Sequence, residues 1–319
     1  MLAIVIISTG VHLAQVNDAF LASCAATGDC SPSANPIFQD DFSLHVFLPL
    51  IVLVTPAVIG LFLGAPLVAS ELETGTFRLA WTQSVTRRRW LAVKLGLVGL
   101  LAVAIGGLET WMVDWWQGPF DAANQNQFDP LNFGFHGVAP IGYTAFAFAL
   151  GVTAGVLLQR TVAAMGVTLA GFVVARFAVT TWIRPILAAP LQESLSFSTR
   201  RPVISPQGST FSLIPPLVHL PNAWVYTTAV VDNSGRALTS QGLQQACPSL
   251  GQVLTAPPGT PPTAVHECID SLAATFHTLV TYQPADRFWP FQWAELGIFL
   301  AAGLALCAVA YWWLRRQSA

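Results

Sequence analysis

Apolar residues in this chain gather in blocks separated by short polar stretches. Five blocks, 45–66, 90–112, 138–158, 162–182 and 291–314, are continuous enough to form membrane-crossing helices, which take about 20 mostly apolar residues. A sixth block, 1–16, is apolar but short, and reaches that length only by including His12, Gln15 and Asn17 or if the chain begins earlier. It lacks the positively charged start of a secretory signal peptide, so a clipped first span is expected. Residues 184–287 break the pattern. They hold most of the prolines, among them Pro185, Pro190, Pro215, Pro216, Pro257, Pro258, Pro261 and Pro262, and polar runs such as 194–209 that cannot cross a bilayer. A stretch of this size is enough for a separate domain, for which a mixed, partly helical structure is expected.

Composition strengthens the membrane reading. The 319 residues are 54% hydrophobic and 9% charged, where soluble domains carry roughly a quarter charged residues. A net charge of −2 points to no nucleic-acid partner. Lys94 is the only lysine, an arginine bias that suggests a GC-rich bacterial genome.

The placement of charge orients the spans. With a cytoplasmic N-terminus and one crossing per block, Arg78, Arg87, Arg88, Arg89, Lys94, Arg160, Arg315 and Arg316 all fall inside. The first two outside loops, 17–44 and 115–137, carry Asp18, Asp29, Asp40, Asp41, Asp121 and Asp129 with no lysine or arginine. The positive-inside rule selects this orientation. Trp111, Trp115, Trp116, Trp182, Phe288, Trp289 and Trp293 then form an outer aromatic belt, and Trp81, Trp90, Trp312 and Trp313 an inner one. The expected architecture is an all-α polytopic membrane protein with six transmembrane helices and a domain-sized extracellular insertion between the fifth and sixth. Helices one to five occupy 1–183, the extracellular domain 184–288, and the sixth helix with a short basic cytoplasmic tail 289–319. Both termini are expected to be cytoplasmic, in a bacterial plasma membrane.

This topology puts four of the five cysteines outside: Cys24 and Cys30 in one loop, Cys247 and Cys268 in another. Two disulfides are expected in an oxidising compartment, against the alternative of four unpaired thiols, with Cys307 left free in the last span. Ionisable groups inside spans are costly and mark functional candidates. Glu109 and Arg176 each lie about 22 Å above the inner interface at 1.5 Å per residue, and Glu295 enters the last span from outside at a similar level. An acid–arginine cluster near an outer gate is expected, pairing Arg176 with Glu109 or Glu295; the alternative is that each snorkels alone to the headgroups. The six histidines show no metal-ligand spacing, so no metal site is expected, and His136 reads as a satisfied polar residue.

The densest run of chemistry lies between the second and third spans. It reads Glu71-x-Glu73-x-Gly75-Thr76-Phe77-Arg78, then Trp81, then Val85-Thr86-Arg87-Arg88-Arg89-Trp90, then Lys94. Phe77 and Trp81 stand at helical spacing and can face lipid or a partner groove. Gly75 permits a sharp turn after the acidic pair. Thr86 can cap the next helix, and Lys94 can snorkel to the headgroups. A short charged hook of this kind offers apolar anchors and register-fixing charges to a soluble partner; the competing reading is an ordinary positive-inside loop. The run Glu71-x-x-x-Gly75-Thr76 with Val85-Thr86-Arg87, Trp90 and Lys94 resembles the signature of type-2 ATP-binding-cassette exporter permeases. The fuller wording from Gly64-Ala65-Pro66 to Arg87 is similar to the actinobacterial branch.

That resemblance implies two six-helix permeases paired with two cytosolic ATPases, as a homodimer or with a second permease. It makes 67–89 the coupling element, with ATPase coupling by Glu71, Glu73, Gly75, Thr76, Phe77, Arg78, Trp81, Arg87, Arg88 and Arg89. The long last outside connection and the missing amphipathic helix before the first span depart from the family pattern. Lys94 is followed by Leu95, so the chain holds no Walker-type phosphate loop. It is expected to be no enzyme and to bind no cofactor, with ATP and Mg on the partner ATPase. The expected function is the permease subunit of an ATP-driven exporter of an amphipathic or apolar substrate. The alternatives are a membrane-anchored sensor or immunity protein acting through its outside domain, and an integral membrane enzyme.

Overall fold

The structure is a computed structural model that describes residues 2–27, 42–75, 87–196, 203–207, 210–216, 218, 220–248 and 263–316. Its contacts divide it into two compact units, Met1–Ala188 with Asp286–Ala319, and Ala189–Ala285.

The first unit is helical. Helix α1 is Leu2–Thr27. Helix α2 runs through Phe42–Ile59, a π turn at Gly60–Gly64, and Ala65–Thr74. Helix α3 is Arg87–Asn124, α4 is Ala139–Leu158, and α5 is Thr161–Ala178, prolonged by a π turn at Val179–Ile183 and a 3-10 turn at Arg184–Ile186. Helix α8, Phe288–Arg316, closes the unit. Five of these rods are long and apolar enough to cross a membrane: Leu44–Thr74, Ala92–Ala123, Ala139–Leu158, Thr161–Ile186 and Ala285–Arg316. The 26 residues of α1 outrun the apolar block 1–16 seen in the sequence.

Helix α4 is the most enclosed of the five, and its composition explains why. Gly142, Ala147, Ala149, Gly151, Ala154 and Gly155 keep it thin, so neighbours approach its backbone closely. On α2 the facing pair is Gly60 and Gly64. A Cβ at Gly60 would stand 2.7 Å from the Ala147 carbonyl, one at Gly64 2.7 Å from that of Phe148, and one at Gly155 2.7 Å from that of Ala65. A Cβ at Gly151 would strike the Gly60 carbonyl. Two Gly-x-x-x-Gly stripes therefore cross face to face, the arrangement by which membrane helices gain van der Waals contact without a hydrophobic driving force. The π turn sits at this crossing, with the Ala65 N–H bonded to the Gly60 carbonyl. It follows Pro56, whose missing N–H already interrupts the α-helical ladder.

Two apolar clusters hold the bundle at its ends. Ile6 and Leu13 of α1 join Leu48, Val52, Val113, Trp116, Phe120 and Phe135 at one end, where Trp116 Nε1 donates to Thr9 Oγ1 at 2.9 Å. At the other, Ile59, Val68, Phe148, Val152, Val156, Ala310 and Leu314 pack together.

The second unit is not helical throughout, which corrects the all-α expectation. Strands β1 (Leu191–Leu195), β4 (Trp224–Asp232) and β5 (Phe276–Gln283) form an antiparallel sheet in the order β1-β5-β4, and β2 (Val203–Gln207) pairs with β3 (Thr210–Ile214). Short helices α6 (Ser240–Ala246) and α7 (Thr263–Leu272) lie between β4 and β5. The Thr239 hydroxyl caps α6 by accepting from the Gly242 N–H. Cys247, just past α6, is bonded to Cys268 of α7. The boundary falls at Ala189 and not at 184, so Arg184 belongs to the helical unit.

Candidate functional site

The acidic pair of the sequence motif lies in the last turns of α2. Glu71 forms an ion pair with Lys94 of α3. The Lys94 ammonium also donates to the Leu67 carbonyl at 3.2 Å and stands 4.6 Å from the Trp90 ring. Lys94 is thus committed to α2, where snorkelling to headgroups was expected: a charge-assisted bond to a carboxylate 23 residues away in sequence takes its place. Glu73 reaches a third helix. Its Oε2 accepts from the Thr161 N–H at 3.0 Å and the Thr161 hydroxyl at 2.9 Å. A carboxylate there satisfies one of the orphan donors at the N-terminus of α5 and complements its dipole. Gly75 ends α2 at φ 74°, the left-handed conformation that glycine adopts most readily.

Of the stretch 67–89, the structure describes the two ends. Residues 67–74 continue α2, and Arg87, Arg88 and Arg89 open α3, with Arg89 exposed. Thr76, Phe77, Arg78 and Trp81 lie outside the described residues.

A second site surrounds Glu295, which is fully buried on α8. Arg184 Nε lies 2.5 Å from Glu295 Oε1, and Arg176 Nη1 lies 3.6 Å from Oε2. The Tyr143 hydroxyl of α4 donates to the same carboxylate. Each guanidinium also lies over an aromatic face: Arg176 is 3.7 Å from the centre of the Tyr143 ring and Arg184 4.2 Å from that of Phe133. Arg184 Nη1 also donates to the Pro130 carbonyl at 3.4 Å. The π turn at Val179–Ile183 explains how both arginines reach one acid. Eight residues of ideal α-helix would set Arg184 about 80° around the axis from Arg176. One π turn absorbs about one residue, or about 100°, and brings the two close to a single stripe.

Arg176 accordingly faces Glu295 and not Glu109, whose carboxylate accepts from Thr55 Oγ1 at 2.8 Å. Arg184 is the member that sequence reasoning missed. Its signal was present, an arginine eight residues beyond Arg176, but Pro185 and the polar stretch after it read as the start of the outside domain. Next to the cluster, the buried Gln292 fastens the connection between α3 and α4. It accepts from the Ala139 N–H at 2.8 Å and donates to the Phe133 carbonyl at 3.0 Å.

The same connection carries His136, 2% exposed, between two carboxylates of α3. Asp114 and Asp121 are seven residues apart, two turns of helix, and so share a face. Nδ1 of His136 lies 2.5 Å from Asp114 Oδ1, and Nε2 lies 3.4 Å from Asp121 Oδ1. Asp114 Oδ2 also accepts from the Gly137 N–H. Burial opposes protonation of the imidazole, but its hydrogen bond to Asp114 and the facing carboxylate of Asp121 outweigh this and push its pKa up to about 9. The trio is an ion-pair bridge. Among the described residues, no group of three or more His, Cys, Asp or Glu side chains has the arrangement to hold a metal ion.

Of the cysteines, Cys247 and Cys268 are joined, Cys24 is disulfide-bonded, Cys30 lies outside the described residues, and Cys307 is free. Residues 1–184 match the family described as ABC-2 membrane transporter related. No curated protein and no solved structure matches the chain.

Proposed function

Because the chain belongs to the ABC-2 membrane transporter related family, we propose that this multi-pass membrane protein is the permease subunit of an ATP-driven exporter. A separate cytosolic ATP-binding-cassette ATPase would bind ATP and Mg, and two permeases, identical or paralogous, would form the pathway. With α1 as first span, six spans place both termini and the α2–α3 connection in the cytoplasm, on the side favoured by the arginines. Unit Ala189–Ala285 is then extracellular.

The observation that carries this reading is the way the end of α2 is tied into the bundle. Glu71 links it to α3 and Glu73 links it to α5. A push on the connection that follows Gly75 would reach both helices through charged contacts, and α4 through the glycine crossing. Thr76, Phe77, Arg78, Trp81, Arg87, Arg88 and Arg89 would supply the docking surface for the ATPase, and Arg176, Arg184 and Glu295 would hold the outer end of the pathway. The spans offer few polar groups, which favours an amphipathic or apolar substrate.

The test is co-purification of an ATPase with the tagged chain from its native host. Retention or ATPase activity should fall in Glu71→Ala and in the Arg87/Arg88/Arg89 triple alanine variant. If no ATPase accompanies the folded protein and the variants match wild type, the exporter reading fails. The second reading, a sensor or immunity protein, is favoured by unit Ala189–Ala285 lying wholly beyond the family match. It predicts a ligand for that unit and no dependence on ATP.

A further inference from the structure

A cavity of about 310 Å³ opens between α2, α3 and the α3–α4 connection, at the small end of the roughly 300–1,000 Å³ typical of ligand pockets. Helix α2 contributes His45, Leu50 and Leu53 to its lining, α3 contributes Gln117 and Asp121, and the α3–α4 connection contributes Asn126 and Phe135. No lysine or arginine lines it among the described residues. Gln117 is occupied, its Oε1 paired with His45 Nδ1 at 2.9 Å and its Nε2 donating to the His45 carbonyl at 3.2 Å. Asp121 differs. Its side chain is 10% exposed, and its nearest cation is His136 Nε2 at 3.4 Å, an atom that makes no aligned hydrogen bond. Asp114 engages the same imidazole through Nδ1. One imidazole therefore stands between two carboxylates, which leaves the trio with an excess of one acid at the cavity that Asp121 lines. A buried carboxylate in that position is costly without a counter-charge.

We propose that this cavity binds a small organic monocation, a protonated amine on an apolar body, with the ammonium against Asp121 and the body on Leu50, Leu53 and Phe135. The lining matches that chemistry: it combines a carboxylate and amides with an aliphatic and aromatic surface. The site is independent of any ATPase, because all its described walls belong to this chain. The same ammonium chemistry is offered by a free amine and by the headgroup of phosphatidylethanolamine.

The experiment is calorimetric titration of the purified full chain in maltoside micelles, which contain no ammonium group. The probe is 2-phenylethylamine, compared with its neutral counterpart 2-phenylethanol. The amine should bind saturably and at least about tenfold more tightly than the alcohol, and Asp121→Asn should weaken it by at least about tenfold. Val46→Trp, at an exposed lining position away from the carboxylate, should fill the cavity and abolish binding, so a folding defect in Asp121→Asn would not leave the question open. Added phosphatidylethanolamine lowers the apparent amine affinity if the lipid headgroup is the natural occupant and leaves it unchanged if a free amine is. Equal affinity for amine and alcohol, no amine binding by the folded chain up to millimolar concentration, or full binding by folded Asp121→Asn overturns the proposal.

Discussion

At the scale of single residues, the charges buried in the bundle should dominate its response to mutation and pH. Glu295 faces two arginines, so its removal leaves both without their acid. Glu295→Ala should destabilise the detergent-solubilised protein by about 3–5 kcal/mol, while Glu109→Gln, which loosens only the Thr55 contact, should cost about 1 kcal/mol; thermal unfolding separates the two. His136 makes the second prediction. Its pKa is raised from 6.5 to about 9 in the fold, so its charged pairing stabilises fully below about pH 6.5 and is lost as pH rises through 9. The melting temperature should fall between pH 6.5 and 9.5 by the equivalent of roughly 3 kcal/mol at most, and His136→Gln should flatten that slope. An unchanged slope in the variant would remove His136 as its source. Arg176 and Glu295 were legible in the sequence because charge within an apolar block is expensive. Arg184 was not, since its place on the same stripe depends on a π turn that no hydropathy pattern encodes.

At the scale of elements, hydropathy located the middle of each membrane helix and both ends of α4 to within a residue, but stopped short of the ends of α2, α3 and α8. Helix α3 is the clearest case. Its 38 residues span about 57 Å, against a hydrocarbon core of about 30 Å. The surplus carries Asp114, Gln117 and Asp121, whose polarity reads as loop until the partners His45 and His136 are known. The Gly-x-x-x-Gly stripes at 60/64 and 151/155 were readable as a pattern, but a sequence alone does not say which two helices meet. Gly151→Val places side-chain atoms where the Gly60 carbonyl already stands. It should cost at least about 3 kcal/mol or prevent assembly, seen as loss of the monodisperse peak in size-exclusion chromatography, whereas Gly96→Ala, with open space around it, should behave as wild type. Glu73→Ala should free the first turn of α5, detectable as faster amide exchange at Thr161.

At the scale of the whole molecule, the two units answer to different physics. The unit Ala189–Ala285 is small, and the Cys247–Cys268 bond closes a loop across 21 residues. By chain entropy this constrains its unfolded state by about 3 kcal/mol. The Cys247→Ser/Cys268→Ser variant should lower the melting transition of this unit and leave that of the helical unit, where Cys24 keeps its own disulfide, near its original position, as followed by calorimetry. The helical unit is assembled from two separated parts of the chain, and the order of synthesis gives this a consequence in time. Arg184 leaves the ribosome 111 residues before Glu295. At about 5–20 residues per second, the two arginines of α5 wait roughly 5–20 s for their counter-charge. During that interval the fifth helix is a provisional occupant of the bilayer, and a chain stalled before residue 295 should be the form that quality-control proteases recognise.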